Sequence, residues 1–163
     1  MSAGSSSADA LRNSVDLAVL TEQLGYTRYW IAEHHNNPLI ASSVPAVIIA
    51  HIADATRTIR VGSGGVMLPN HSPLTVAESF RILEALHPNR IDLGLGRAPG
   101  TTPMTALALR RSREALNPDD FPLQLQELLG FLTGSFPGNH PFKEIVAMPA
   151  GVPAPEIWLL GSS

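Results

Sequence analysis

Residues able to do acid–base chemistry stand together at Glu33-His34-His35, directly after an aromatic and β-branched segment. A carboxylate beside two imidazoles can serve as proton-transfer machinery or as metal ligands. Adjacent residues of an extended chain point to opposite faces, so His34 and His35 are not expected to converge on one metal. A zinc hydrolase stays an alternative, but the H-E-x-x-H spacing and an evident third ligand are lacking, and no metal site is predicted. Histidines held by loop hydrogen bonds are the other reading.

Two glycine-containing segments could hold a ligand against the backbone. Ser63-Gly64-Gly65 would let a flat ligand lie on the chain, although a β-bulge explains these residues equally well. The segment from Gly94 to Gly100 resembles a phosphate loop only superficially, because it lacks the Rossmann spacing and the P-loop Lys and Ser/Thr. Arg97 in it is a candidate anion clamp, with an exposed or ion-paired surface arginine as the alternative.

The last three residues, Gly161-Ser162-Ser163, offer hydroxyl and backbone N–H groups that suit a phosphate. The remaining histidines are expected to be packing, loop or capping residues, and two acidic residues, Glu84 and Asp92, are expected to have structural partners. These histidines are His51, His71, His87 and His140.

The elements that must position these residues alternate between two periodicities. Helical spacing of apolar residues predicts helices over Ala10–Leu24, from Pro45 with Ser43 as N-cap, around Val76–Leu83, loosely up to Leu116, and after a cap near Asp120. Strands are predicted at Thr27–Ala32, Ile59–Leu68, in RIDLGLG and in EIWLL, with a long loop over Pro137–Pro155. Alternating strands and helices predict a parallel sheet, as a barrel or an open doubly wound sheet, with ligands at the carboxyl ends of the strands.

Composition excludes several classes of protein. The chain has 163 residues, a net charge of -3 and no cysteine, which argues against nucleic-acid binding, disulfides and thiolate metal sites. No apolar run approaches the roughly 20 residues that span a bilayer, so no membrane partner is expected and a cytoplasmic location is predicted. Residues 1–8 are small and polar and are predicted to be a flexible tail.

Three phrases taken in order carry a family resemblance: GYTRYWIAEHHN, TRTIRVGSGGVMLPNHSPLTVAESFRILEALHPNRIDLGLGRAPG and PEIWLLGSS. From about Leu11 to Ser163 the chain resembles luciferase-like flavin-dependent monooxygenases, in particular the alkanal-monooxygenase-like branch. The resemblance implies a (β/α)8 TIM barrel that binds FMN at its C-terminal mouth. It also implies that reduced FMN comes from a separate NAD(P)H-dependent flavin reductase and uses oxygen to oxidise an organic substrate such as an aldehyde.

The resemblance also implies roles for individual residues. His34 matches the family's active-site histidine, and His35 its supporting neighbour. Gly64 and Gly65, after Ser63, match a cis peptide bond that does not precede proline and packs against the flavin ring. Arg97, followed by Pro99, matches a contact to the FMN phosphate, and Ser162 and Ser163 fall where that phosphate site is completed.

The pattern departs from the family at both ends. No strand precedes the first helix and the sequence stops at EIWLL, so residues 9–163 are expected to form an incomplete barrel of about strands 2 to 5, with the first strand and the C-terminal half missing. Half a barrel exposes edge strands and an apolar interior, which predicts a homo-oligomer or a partner supplying the missing half. A noncatalytic flavin-binding remnant and a deazaflavin-dependent reductase are the alternatives to the monooxygenase.

Overall fold

A parallel β-sheet with helices packed against it makes up the computed structural model, which describes residues 6–98, 100–110 and 120–161. Strands and helices alternate along the chain, as predicted. Each predicted strand is present within two residues of its expected bounds. The elements are α1 (Ser7–Gln23), β1 (Arg28–Ile31), α2 (Pro45–Ala55), β2 (Arg60–Met67), a 3-10 turn (Leu68–Asn70), α3 (Pro73–Leu86), β3 (Ile91–Gly96), α4 (Pro103–Arg110), α5 (Phe121–Thr133) and β4 (Glu156–Leu160).

The four strands lie side by side in the order in which they occur in the chain, and every pair is parallel. In a doubly wound sheet the strand order reverses at a switch point, whereas strands of a (β/α)8 barrel follow one another around the axis. The sequential order therefore favours the barrel over the open sheet. It also places the carboxyl ends of all four strands at one edge.

Strand β2 contains the β-bulge that its glycines indicated. Ser63 pairs with Leu93 and Val66 pairs with Leu95, so three residue steps on β2 face two on β3. The extra residue falls at Gly64-Gly65. A bulge redirects the chain locally, and here it does so at the carboxyl end of the sheet.

The core lies between the sheet and the apolar faces of α2, α3 and α5. β1 and β4 each have one strand neighbour, and the exposed fractions of Trp158, Leu159 and Leu160 on β4 are 38%, 62% and 39%. Among the described residues, β1 and β4 therefore form the two edges of the sheet. Fully buried core side chains include Ile49, Ile52, Val61, Leu68, Phe80, Ile91, Leu93, Leu95 and Leu128.

Two helix starts differ from the predictions. Ser6 caps α1 by accepting a hydrogen bond from the Asp9 N–H, so helix and cap include the last three residues of the predicted tail, while residues 1–5 lie outside the described part. Val44, not Ser43, is the N-cap of α2, because the residue before Pro45 is held in an extended conformation and proline begins the helix. Asp120 precedes α5 as predicted, but its side chain makes no capping bond. None of the helices described is long and apolar enough to cross a membrane.

Candidate functional site

An open cleft of about 830 Å³ lies at the carboxyl ends of β2, β3 and β4. Its volume is within the usual range for ligand pockets, roughly 300–1,000 Å³. Three of the residues predicted to bind a cofactor, Gly64, Gly65 and Arg97, are brought together here from two separate parts of the sequence. The cleft is lined by Gly64, Gly65, Met67, Gly96, Arg97, Ala98, Phe121, Leu160 and Gly161.

The bulge of β2 forms the part of the cleft wall that has no side chains. The peptide bond between Gly64 and Gly65 is cis, as the family resemblance implied. A Cβ atom added at Gly65 would lie 2.8 Å from the Gly94 carbonyl oxygen and 2.5 Å from Leu160 Cδ1. At Gly64 it would lie 3.2 Å from Trp30 Cβ. Glycine is therefore required at Gly65, and backbone is what a ligand in the cleft would meet.

Ser63 supports the bulge from behind. Its side chain is fully buried, and its hydroxyl donates to the Gly94 carbonyl at 2.8 Å and accepts from the Gly94 N–H at 3.0 Å. These bonds join β2 to β3 where the register shifts. Ser63 thus lies next to the predicted cofactor residues, but both bonds of its hydroxyl go to the neighbouring strand.

Arg97 is exposed and lies on the cleft wall. Among the described residues, no carboxylate or carbonyl group pairs with its guanidinium. A free guanidinium at the rim of a cleft can bind an anion in a bidentate manner. Pro99, Ser162 and Ser163, the other predicted phosphate contacts, lie outside the described residues.

His34 lies beside the cleft and does not line it. Its Nδ1 is 3.1 Å from the Gly100 carbonyl oxygen, and Gly100 is also adjacent to Met67 on the cleft wall. A carbonyl oxygen accepts only, so Nδ1 must donate. A neutral His34 therefore has its proton on Nδ1 and a free lone pair on Nε2, which is the form needed to accept a proton.

His35 points to a different group, as the alternation of side chains predicted. The Nε2 atoms of His35 and His71 both lie 2.8 Å from Oε1 of Glu33, which is fully buried. Oε2 of Glu33 accepts a hydrogen bond from the Met67 N–H at 3.0 Å. Burial alone would raise the pKa of Glu33, but hydrogen bonds from His71, Met67 and His35 and the nearby His71 charge lower it. The carboxylate therefore stays charged and holds the last residue of β2.

The sequence pattern did not reveal this cluster. His71 was expected to be a packing, loop or capping residue, and its backbone does end the 3-10 turn. Its side chain meets Glu33 across 38 positions of sequence. The sequence contained one signal for this contact, the position of His71 after the end of β2, which matches the position of Glu33 after the end of β1.

A polar group inside the sheet supports the cleft from below. Asp92 is fully buried and accepts hydrogen bonds from Arg60 Nε at 2.8 Å, Trp30 Nε1 at 2.9 Å and Arg28 Nε at 3.1 Å. Because Trp30 lies under Gly64, these bonds help to fix the cleft wall. The expected structural partners of Asp92 are thus present. Those of Glu84 include the Asn89 N–H.

Comparison with known proteins identifies related sequences. The family model described as luciferase-like monooxygenase matches residues 1–163. A luciferase-like monooxygenase of Escherichia coli is 48% identical over 160 residues, which is 98% of this chain and 46% of that protein. N-acetyl-S-alkylcysteine monooxygenase of Bacillus subtilis is 44% identical over 160 residues, or 98% of this chain and 48% of its own length. The chain thus spans about half the length of these curated relatives.

Solved structures share the fold. The crystal structure of apo-MsnO8 is 43% identical, with a TM-score of 0.89 over 99% of this chain and 47% of its own. A second structure is the FMN complex of the oxygenating constituent of 3,6-diketocamphane monooxygenase from Pseudomonas putida. It is 21% identical, with a TM-score of 0.79, and the match covers 100% of this chain and 49% of that one. An F420-dependent secondary alcohol dehydrogenase is 18% identical, with a TM-score of 0.64, and the match covers 91% of this chain and 47% of that one.

Proposed function

The chain belongs to the luciferase-like monooxygenase family, and we propose that it forms one wall of an FMN site in a flavin-dependent monooxygenase. The observation that carries the proposal is the wall made by Gly64 and Gly65 in the same cleft as Arg97, which has no charged partner among the described residues. Backbone without side chains lets a flat ring lie close to the chain, and a guanidinium compensates the charge of a phosphate. The FMN in one neighbour of the same fold supports this choice of cofactor.

The residues present fit the parts of FMN. Arg97 would bind the phosphate, and Gly64 and Gly65 would face the ring, with Met67 and Leu160 adding apolar wall that excludes water. The predicted phosphate contacts of Pro99, Ser162 and Ser163 remain part of the proposal. Ser63 would act by holding the bulge through Gly94.

Reduced FMN, when bound, supplies the electrons with which oxygen is activated for transfer to an organic substrate. The chain's own contribution to proton transfer would come from His34. Gly100 fixes the proton on Nδ1, so Nε2 can accept a proton and return it. His35 would act as a positioning residue, because its ring donates to Glu33, which in turn holds the Met67 N–H.

The whole protein would need partners that supply the rest of the reaction. A separate NAD(P)H-dependent reductase would deliver reduced FMN, and a homo-oligomer or the remaining barrel half would cover the exposed residues of β4. The cytoplasmic location is part of the same proposal. The resemblance suggests an aldehyde as substrate, while the relative named for N-acetyl-S-alkylcysteine makes a thioether the competing class.

A deazaflavin-dependent reductase is the second candidate, because a neighbour with the same fold uses F420. A noncatalytic flavin-binding protein is the third. Titration of the full chain with FMN and with the deazaflavin separates the first two candidates. Formation of an oxygenated product from either substrate class, with a flavin reductase and NADH present, separates the first from the third.

The decisive binding experiment compares FMN with riboflavin, which lacks the phosphate. We expect Arg97→Ala to weaken FMN binding by about 10- to 100-fold, as for loss of a charged hydrogen bond of about 1.5–3 kcal/mol, and to leave riboflavin binding unchanged. Arg57→Ala, at an exposed arginine between α2 and β2, is the matched control. Equal affinity of the wild-type chain for both flavins, or no flavin binding at all, would contradict the proposal.

A further inference from the structure

The cluster of Glu33, His35 and His71 has the composition of a transition-metal site. The donor atoms of the three side chains all lie within 4.8 Å of one another. Two imidazole nitrogens and one carboxylate oxygen are the ligand set that zinc and neighbouring divalent ions bind at about 2.0–2.2 Å. The ligands come from two neighbouring strand ends, so the sheet itself brings them together.

The charge of the cluster favours a cation. Within the part of the chain that the structure describes, the hydrogen-bond partners of Glu33 are His35, His71, Asn70 and the Met67 N–H, and none is a lysine or arginine. The fully buried carboxylate therefore has no permanently charged cation among these partners. Buried charges are expensive unless they are paired or coordinate a metal. A divalent ion in place of the two Nε2 protons would supply that compensation.

The carboxylate is already oriented for such a role. Both imidazoles approach the same oxygen, Oε1, while Oε2 is bonded to the Met67 N–H. An ion bound between Oε1 and the two nitrogens would leave the bond to Met67 in place. In known metal sites, hydrogen bonds from neighbouring groups to the ligating side chains orient those side chains.

A cavity beside the cluster reaches two of its three side chains. A cavity of about 140 Å³ between α2 and α3 is lined by Glu33 and His71 together with apolar residues such as Val44, Val66 and Phe80. The side chain of His71 is 30% exposed, whereas that of His35 is 13% exposed. A hydrated ion can therefore reach His71 first.

We propose that Glu33, His35 and His71 bind one divalent transition-metal ion, of the zinc class, at the carboxyl ends of β1 and β2. The site is separate from the flavin cleft and does not depend on the proposed cofactor. Among the described residues, the bond between Glu33 and the Met67 N–H connects it to the cleft wall. The ion would have a structural role, fixing the end of β2 behind the cleft.

The test uses the full chain stripped of metal with a chelator and then titrated with Zn²⁺, and with Co²⁺ as a visible-absorbing probe. We expect one equivalent of Zn²⁺ to bind, to raise the melting temperature and to displace Co²⁺ together with its visible bands. Removing a group that only hydrogen-bonds to a metal ligand lowers metal affinity by about 10- to 100-fold. Because His71 would bind the ion directly, His71→Ala should weaken binding by more than that. His51→Ala, at an exposed histidine of α2, should bind like wild type.

His71→Gln is the second variant, because an amide still donates to Glu33 but is a poor zinc ligand. We expect it to fold as judged by circular dichroism and to lose the zinc-dependent rise in melting temperature. Binding that survives in both His71 variants would place the ion elsewhere and overturn the proposal. Absence of stoichiometric binding by the wild-type chain would overturn it as well.

Discussion

The hydroxyl group of Ser63 and the backbone of Gly94 exchange two hydrogen bonds, of 2.8 and 3.0 Å, across the bulge between β2 and β3. The register of the backbone pairing shifts between Ser63 and Val66, and the two hydroxyl bonds join the strands at that shift. One buried serine side chain therefore ties β2 to β3 at the bulge. The same bulge carries the glycines of the cleft wall.

Replacing Ser63 with alanine should destabilise the fold. It removes two hydrogen bonds from the buried sheet, and each such bond contributes about 0.5–1.5 kcal/mol. We expect Ser63→Ala to lower the free energy of unfolding by at least about 1 kcal/mol in urea denaturation. Ser79→Ala, which removes an exposed hydroxyl bond to Thr75 on α3, should change it by less than about 0.5 kcal/mol. Equal effects of the two variants would contradict this account.

Gly65→Ala should damage both the fold and flavin binding. Its Cβ would meet the Gly94 carbonyl oxygen at 2.8 Å, and that oxygen is fixed by Ser63 and cannot retreat like the end of a flexible side chain. Overpacking of this kind costs about 1–3 kcal/mol. Thermal unfolding and FMN titration measure the two losses. Gly138→Ala is the control, because its Cβ would meet nothing within 4 Å, and it should behave like wild type.

Local patterning predicted the elements well because each helix and strand has its own signal. The apolar spacing of α3 and the aromatic and β-branched residues of β1 need no distant partner to be recognised. Family order and spacing then identified the cleft residues Gly65 and Arg97. The structure brings both to one cavity.

Residues that act through distant partners could not be predicted in the same way. His71 meets Glu33 only because two strand ends are neighbours in the sheet, and Ser63 meets Gly94 only because of the bulge. Neither partner is marked by sequence spacing. The predicted N-cap of α2, Ser43, is wrong by one residue for a local reason. Proline favours the first position of a helix, so Pro45 makes Val44 the N-cap.

Arg81 is expected to hold the end of α5 against α3. Its guanidinium, in a side chain that is almost completely buried, donates to the carbonyl groups of Leu132 at 2.9 Å, Phe131 at 3.3 Å and Pro149 at 3.0 Å. A cation is favourable at a helix C-terminus, where carbonyl groups lack partners.

Arg81→Met keeps much of the side-chain volume but removes these donors. We expect it to lower the free energy of unfolding by about 2–3 kcal/mol in chemical denaturation. Arg12→Met, which removes a 72% exposed arginine paired with Asp9, should leave the denaturation midpoint close to that of wild type. A wild-type midpoint for Arg81→Met would show that the three bonds contribute nothing.

Glu22 should make stability depend on pH in the acid range. Desolvation would raise the pKa of this carboxyl, but hydrogen bonds from the N–H groups of Ile59, Thr58 and Arg57 and from the Thr58 hydroxyl lower it from 4.5 to about 2. All four bonds go to Oε1, at 2.6–3.0 Å, and they join the end of α1 to the segment entering β2.

A lowered pKa in the folded state means that the unfolded chain takes up the proton first as the pH falls. The contribution of Glu22 is therefore complete above about pH 4.5 and is lost progressively as the pH falls to about 2. Glu22→Gln lacks the charge at every pH and should be less stable than wild type at pH 7. The difference in melting temperature between the two should shrink towards zero across this window.

Comparing the two proteins at each pH cancels the titration of the other carboxylates, which both contain. Glu144→Gln is the control, because its side chain is 86% exposed and lies 3.8 Å from Lys143. Its melting temperature should stay close to that of wild type from pH 7 to pH 2. A gap between wild type and Glu22→Gln that is constant from pH 7 to pH 2 would show that the carboxylate charge does not strengthen the junction between α1 and β2.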